Sequence, residues 1–372
     1  LVTAVTAQIA SQQRRESGES LVAYKLNELR TMLNLAVDPE SLSRLDRWDQ
    51  QDLSQLIDEA GDGETALQNL AMKKRELGVE SWQNGELTAA MKQFQQSWAL
   101  LAISYRENRS NHLIFFELGQ VEFYIGQTHL EQGDLDAAEH AFMTYAEITR
   151  RLITQEPENA EWVLEMAYAL TNLGELQKSR ETSIPERTLQ FMQSSLEYNQ
   201  IALVLDPANE YYQSELGQSH AFLADAQLDV CDLEGALKSR QEHVELDSAL
   251  LNADPGNIDR IRRMAFALTG LALVNDFVGD IDSAIANVEV ALELLEKIAS
   301  QNTDDRDLKI DMLLRQGYQV YLMILKGEID KAGVLANKVS ENWHALTGIS
   351  SEDMRTSLTY VDHLINLSLI HI

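Results

Sequence analysis

One spacing constrains this chain more than any other feature, because small residues recur along it at steps of 48 or 50 positions. The first column comprises Gly78, Gly126, Gly174, Ala224 and Ala272, and Val320 breaks the rule in a sixth copy. A second column comprises Ala90, Ala138, Thr188, Ala236, Ala284 and Ala332, and a third comprises Asn111, Asn159, Asn209, Asn257 and Asp305. Repetition at such a period predicts a solenoid, in which each unit buries its apolar face only against its neighbours.

The second copy shows how one unit is punctuated. Asn111 can cap a first helix, Gly133 with Asp134 can form a turn, and Pro157 can end a second helix. Each predicted helix then has about 20 residues and a length of about 30 Å. Strand-like alternation is absent from the sequence, so we expect an all-α fold of about six helical hairpins.

Composition indicates a folded protein and narrows the class of partner. The 372 residues are 45% hydrophobic and carry a formal net charge of −29, from 59 acidic and 30 basic residues. Such a field repels nucleic acid and anionic lipid, which makes both poor partners. It favours basic peptides, basic protein surfaces or divalent cations; equally, acidity alone can keep a long helical array soluble.

The chain outside the repeats predicts additional helices. Ser17 to Leu35 has the pattern of an amphipathic helix, and Ser41 can cap a second helix running to about Ala60. The apolar opening Leu1–Ala7 is either the stub of a transmembrane helix followed by a juxtamembrane exit or an ordinary helix start. No stretch of 18 apolar residues occurs in the sequence itself.

These patterns divide the chain into three expected parts. Residues 1–62 form an N-terminal capping or juxtamembrane segment, and residues 63–349 form six repeats. Residues 350–372 form a C-terminal capping helix. The apolar end of that helix is either native, the result of truncation, or a non-native read-through sequence. The third repeat has a turn, Ser179–Glu186, that is two residues longer than the others and lacks Gly, so we expect it to project as a distinct loop.

The motif Gly126, Gly133, Ala138, Phe142 and Pro157 resembles a tetratricopeptide repeat (TPR). The resemblance extends from about residue 64 to residue 340. Each unit has 48 to 50 residues rather than the usual ~34, so each helix gains about two turns. This long form is similar to repeat regions of large bacterial signalling proteins, where they follow a membrane-spanning helix and an effector such as a protein kinase. The resemblance implies an open right-handed α-solenoid that binds proteins.

Motifs for catalysis or metal binding are absent from the sequence. It contains no phosphate loop, no His-Glu-x-x-His pair, no Gly-x-Ser-x-Gly elbow and no calcium loop. The lone Cys231 excludes an internal disulfide framework and occupies a position where other copies have a turn Gly. We therefore expect no enzyme activity, no cofactor and no metal. An alternative is a closed α/α toroid whose paired carboxylates act on carbohydrate.

In TPR solenoids the first helix of each unit lines the concave face, and the resemblance transfers that role to a set of side chains here. Counted from the small packing residue, one stripe is Gln127, Glu175, Asp225 and Leu273, and the next is Glu131, Ser179, Asp229 and Phe277. Higher on the same face are Gln120, Phe123, Tyr168, Thr171, Gln218, Phe266 and Thr269. The matching segments Glu117–Gln120 and Glu215–Gln218 are interpreted as helix-packing residues.

These residues predict an acidic groove with aromatic shoulders that suits an extended peptide carrying Lys or Arg. The expected function is a protein- or peptide-binding scaffold or sensor of a bacterial signalling or assembly system, with a homo-oligomer also open. The alternative without a ligand is a passive spacer or oligomerisation arm. The compartment stays open between either face of a bacterial membrane and the soluble cytoplasm.

Overall fold

The computed structural model describes residues 48–61, 63–301 and 305–347, and within them the regular secondary structure is entirely α-helical. The helices are α1 (Gln50–Ala60), α2 (Glu64–Gln83), α3 (Leu87–Glu107), α4 (His112–Glu131), α5 (Leu135–Gln155), α6 (Ala160–Ser179), α7 (Pro185–Leu205), α8 (Glu210–Asp229), α9 (Leu233–Ala253), α10 (Ile258–Phe277), α11 (Ile281–Ala299), α12 (Arg306–Leu325) and α13 (Ile329–Thr347). The expected all-α repeat fold is confirmed.

Helix α1 is the first helix in the described part of the chain. Asp49 caps it, because the backbone there is extended and the side chain accepts hydrogen bonds from the amides of Gln51 and Asp52. Because Trp48 and Asp49 are not helical, the predicted helix to Ala60 does not run unbroken from Ser41, which itself lies outside the described residues. The predicted helix Ser17–Leu35 and the predicted cap over residues 350–372 lie outside the described residues.

The turn column ends and restarts helices as predicted. The Asn111 side chain accepts a hydrogen bond from the Ile114 amide at 3.2 Å, which satisfies one of the free donors of the first turn of α4. Asn159 caps α6 in the same way. Gly133 has a φ of 78°, and Cys231 has a φ of 60° at the corresponding turn, which confirms that this cysteine replaces a turn glycine.

The chain divides into two compact units, Leu1–Ser219 and His220–Ile372, with the boundary inside α8. In the first unit the described helices pack mainly on their sequence neighbours, with the hairpins α2/α3, α4/α5 and α6/α7. In the second unit α9 packs on α10, and α10/α11 and α12/α13 form hairpins. Packing on adjacent helices is what a solenoid requires.

The column of small residues sets how closely the helices of a hairpin approach in the first unit. The Phe142 ring of α5 lies directly over Gly126 of α4, where an added Cβ would come within 2.5 Å of the ring. Phe94 of α3 lies over Gly78 in the same manner, at 2.6 Å. These contacts belong to one apolar core that runs through the whole unit from Leu56. The predicted role of the glycines in close helix packing is confirmed.

The second unit has its own apolar clusters. Ala272 of α10 packs with Val288 of α11 and Leu322 of α12, all of them fully buried. A neighbouring cluster joins Leu268 and Leu295 near the other end of the same helices.

The long turn of the third repeat lies against the preceding hairpin. Arg180, the C-cap of α6, donates to the carboxylates of Asp136 and Glu139 on α5 at 3.0 and 2.6 Å. Pro185 then begins α7 at a position where its missing N–H is not needed. The expected projecting loop is therefore held at its start by ion pairs.

Candidate binding surface

Four first helices of the first unit form a continuous polar face, which we call the first-helix wall: α2, α4, α6 and the part of α8 up to Ser219. Side chains of consecutive first helices contact each other along it. Arg75 of α2 pairs with Glu117 of α4. Gln120 of α4 donates from Nε2 to Oε2 of Glu165 on α6 at 2.6 Å. The wall is thus linked from one repeat to the next by side-chain hydrogen bonds.

Several predicted groove residues belong to this linked face. Gln127 donates to the side-chain oxygen of Asn172 on α6. The Tyr168 hydroxyl of α6 lies 2.5 Å from the Tyr211 hydroxyl of α8. Burial raises the pKa of Tyr168 first, and the negative charge of Glu215 raises it further. The sequence placed these side chains on first helices correctly, but it did not show that they contact the neighbouring repeat.

Other predicted residues of the first unit face the second helices or the solvent. The Thr171 hydroxyl lies 2.8 Å from Ser195 Oγ on α7. Phe123 is half-buried, with its ring 6.0 Å from that of Tyr145 on α5. Glu131 is exposed near the end of α4, while Glu175 and Gln218 are half-buried. As ligand-contacting residues, these five remain predictions.

In the second unit, three predicted groove residues make contacts inside the fold. Asp225 pairs with Arg240 of α9. Phe266 is buried, with its ring 6.0 Å from that of His243. The Thr269 hydroxyl donates to the Ala265 carbonyl at 2.7 Å and accepts from Arg315 Nε at 2.8 Å.

The remaining predicted positions of the two stripes differ in exposure. Asp229 and Phe277 are exposed near the ends of α8 and α10, with Phe277 60% exposed. Leu273 is half-buried and packs on the Ala272 cluster. In the first unit Ser179 is exposed, and its hydroxyl donates to the Glu175 carbonyl at 3.0 Å.

The carboxylates of the wall were not among the predicted binding residues. Glu117, Glu165 and Glu215 stand at one position of successive first helices, and the repeat period separates them. That periodicity is a sequence signal that could have identified them. Glu117 and Glu215 begin the segments Glu117–Gln120 and Glu215–Gln218, which were interpreted from the sequence as helix-packing residues. Within the first segment, Leu118 and Gly119 are indeed buried.

Two of the wall carboxylates hold a proton more readily than usual. Burial raises the pKa of Glu165, and the charges of Glu161 and Glu117 raise it further, while hydrogen bonds from Tyr145 and Gln120 act in the opposite direction. The pKa of Glu117 is also raised by burial, with Arg75 opposing and Glu161 adding to the rise. Because the loss of hydration and the neighbouring acids both disfavour the ionised forms, a cation placed here relieves repulsion.

A cavity of about 340 Å³ opens on the wall between α2 and α4. Arg75, Glu76, Glu80, Gln120 and Tyr124 are among its lining residues. Glu76 and Glu80 are exposed, and the half-buried Tyr124 ring stacks on Phe94 at 5.2 Å. A space of this size, with an aromatic side and two carboxylates at its edge, can receive one long basic side chain.

The described part of the chain offers neither a metal site nor a membrane span. It contains no group of three or more His, Cys, Asp or Glu side chains arranged to hold a metal ion. None of its helices combines the length and the apolar character needed to cross a membrane.

Comparison with solved structures identifies the fold. The crystal structure of BtubC (BKLC) from P. vanneervenii is similar at 16% identity, over 71% of this chain and 93% of that chain, with a TM-score of 0.51. This chain is a TPR-like helical repeat protein. The predicted TPR-like fold is thereby confirmed.

Two further solved structures are similar with lower TM-scores. Aspartyl phosphate phosphatase F from Bacillus subtilis has 17% identity over 74% of this chain and 66% of that chain, with a TM-score of 0.48. A thermophilic TPR protein of Thermus thermophilus has 16% identity over 65% of this chain and 96% of that chain, with a TM-score of 0.35. No protein-family model and no curated protein sequence matches the chain.

Proposed function

We propose that this TPR-like protein is a non-enzymatic scaffold of a bacterial signalling or assembly system, and that it binds a basic, extended peptide segment on the first-helix wall. One observation carries the proposal: Glu117, Glu165 and Glu215 repeat along the wall at one position per repeat. The TPR-like fold supports a role in protein interaction. The net charge of −29 supports a basic rather than an acidic ligand.

The spacing of the wall defines the pattern of the ligand. Packed helices lie about 8–10 Å apart, and an extended chain in the polyproline II conformation advances about 3.1 Å per residue with three residues per turn, so that residues i, i+3 and i+6 share one face. A peptide crossing the first helices therefore passes one helix for about every three residues. We expect the preferred ligand to carry Lys or Arg at positions i, i+3 and i+6, so that each meets one of Glu117, Glu165 and Glu215.

The free energy of binding should be distributed over several weak contacts. A solvent-exposed ion pair contributes about 0.2–1 kcal/mol, and salt screens it. Removing a single exposed charge would change binding little, so the test has to change several together. Asp225 is unsuitable for this purpose because it pairs with Arg240, which is buried.

The test is a fourfold charge reversal, E76K/E80K/E131K/E161K, at exposed carboxylates of first helices. The matched control reverses four exposed carboxylates at the ends of second helices or in a turn, E86K/E107K/E181K/E186K. Glu186 in the first turn of α7 matches Glu161 in the first turn of α6.

The probe is a fluorescent 12-residue peptide with Lys at every third position, compared by anisotropy with a peptide of the same composition and scrambled Lys order. We expect the wild type and the control variant to prefer the regular peptide, and the wall variant to lose at least about tenfold in affinity. Equal losses in both variants would show a general charge effect. Absence of binding by the wild type, together with a defined multimer in small-angle scattering, would favour the spacer alternative.

A further inference from the structure

The buried face of α9 differs in chemistry from the same face of other second helices. In α11 this face consists of Val288, Ala291 and Leu295, which are fully or almost fully buried. One repeat earlier, the equivalent residues of α9 are Arg240, His243 and Asp247, with exposures of 0%, 1% and 2%. Three ionisable side chains thus occupy a seam that α11 fills with apolar side chains alone. The observation is independent of the first-helix wall.

Arg240 lies at the position that Phe142 occupies in α5. Its guanidinium pairs with Asp225 of α8 and packs against Gly270 of α10, where an added Cβ would lie 2.5 Å from Nη1. Within the described residues, Nε and Nη1 have no hydrogen-bond partner. The guanidinium is therefore sealed between three helices with one ion pair to balance its charge.

His243 lies one turn further along α9. Its Nε2 is 3.2 Å from Oδ2 of Asp247, and its ring makes an edge contact with Phe266 of α10. Nδ1 of His243 has no hydrogen-bond partner among the residues that the structure describes. The imidazole is therefore buried with a single charged partner.

The charged groups around His243 come from each helix packed on it. Asp247 and Arg240 lie on α9 itself, and Arg263 projects from α10. Burial lowers the pKa of His243; Asp247 opposes this effect, and the two arginines add to it. From α8, the nearby His220 has a pKa that is also lowered by burial.

The environment of His220 is similar. Glu242 opposes the lowering of its pKa, whereas His243 and Lys238 add to it. Protonating either histidine therefore lowers the pKa of the other further.

Proton linkage fixes the direction in which pH changes the stability of the fold. A histidine whose pKa is lower in the folded than in the unfolded state binds fewer protons when folded, so stability is lost as pH falls below about 6.5. Both His220 and His243 act in that direction. Cys231 and the exposed acidic residues of the second unit are not part of the buried cluster of Arg240, His243 and Asp247.

We propose that α9, with the adjoining parts of α8 and α10, forms an acid-sensitive hairpin that opens when His243 is protonated. The new positive charge arises beside Arg240 and Arg263, in a cluster where Asp225 already pairs with Arg240 and Asp247 already contacts His243. The hairpin α12/α13 and the apolar face of α11 contain no such cluster among the described residues, so they stay packed while α9 loosens.

The test is hydrogen–deuterium exchange of the full chain at pH 7.5 and 5.5, with rates corrected for intrinsic exchange. We expect protection of α9 amides to fall at least about tenfold more than protection of α11 amides. Equal changes in the two helices would overturn the proposal.

The decisive variant is H243A/D247L, which copies Ala291 and Leu295 of α11 into α9. We expect it to abolish the selective loss of protection at pH 5.5, whereas H112Q, at a half-exposed histidine of the first unit, retains it. A selective loss that persists in the double variant would refute the role of His243. Should the variant not fold, NMR titration of wild-type His243 decides: a midpoint below 6.5 supports the proposal, and one at or above 6.5 overturns it.

Discussion

The packing of Phe142 on Gly126 predicts that G126A destabilises the wild-type protein but stabilises a variant in which Phe142 is replaced by a smaller residue. Substituting Gly126 by Ala adds a Cβ that would lie 2.5 Å from Cε1 and 2.6 Å from Cδ1 of the fully buried Phe142 ring. The ring has to move in a filled core. The equivalent pair in α10 and α11 is Ala272 with Val288, so the fold already contains the compatible alternative.

The change in the free energy of unfolding caused by G126A follows from two opposing effects. Ala stabilises a helix interior by about 1 kcal/mol relative to Gly, and overpacking a core costs about 1–3 kcal/mol. In the wild-type background we expect G126A to lower the free energy of unfolding by about 1 kcal/mol. In the F142V background the clash is absent, so G126A should raise that free energy by about 1 kcal/mol. The coupling free energy of the pair is then about 2 kcal/mol.

Urea denaturation followed by circular dichroism measures all four members of this double-mutant cycle. The control is G317A in α12, because a Cβ at Gly317 meets no atom within 4 Å. It should raise the free energy of unfolding by about 0.5–1 kcal/mol through helix propensity alone. If G126A has the same effect in both backgrounds, the close approach at Gly126 does not limit packing.

Two further predictions concern charged side chains. D225A should lower the free energy of unfolding by about 3–5 kcal/mol in thermal or urea denaturation, because it leaves the buried Arg240 without its ion-pair partner. The control D58A, at an exposed position of α1, should change that free energy by less than about 0.5 kcal/mol, and equal effects of the two substitutions would contradict the structural role of Asp225. Binding of the regular Lys peptide should weaken between pH 7 and pH 5, because the pKa values of Glu117 and Glu165 are raised and a protonated carboxyl no longer attracts Lys. Anisotropy titrations should show that the affinity of the E165Q variant depends less on pH. An unchanged pH profile in this variant would remove Glu165 from the site.

The repeat fold was predictable because its determinants are local and periodic. The cap at Asn111 and the turn at Gly133 bracket the observed helix α4, His112–Glu131. The start of α1 was not predictable in this way, since no repeat marks Asp49 as its cap. Periodicity therefore specified the solenoid and left its non-repeated part ambiguous.

The candidate site was only partly predictable, because a polar residue on a first helix can meet solvent or the next repeat. Gln120 and Tyr168 were correctly placed on the face but make contacts between repeats. Glu165 was overlooked, although it shares the period of Glu117. Similarly, no residue pattern shows that Arg240 is buried, since arginine is normally an exposed residue.

The contacts within the wall leave acceptor positions free for the peptide proposed above. Gln120 and Tyr145 both donate to Oε2 of Glu165, and neither contacts Oε1. In the same way Arg75 pairs with Oε2 of Glu117. A carboxylate has about four acceptor positions on its two oxygens, so an incoming ammonium group can bind Oε1 while Oε2 keeps its donors. The proposed basic peptide would then add a hydrogen bond at Glu117 and at Glu165, and the existing contacts would hold each carboxylate in place for it.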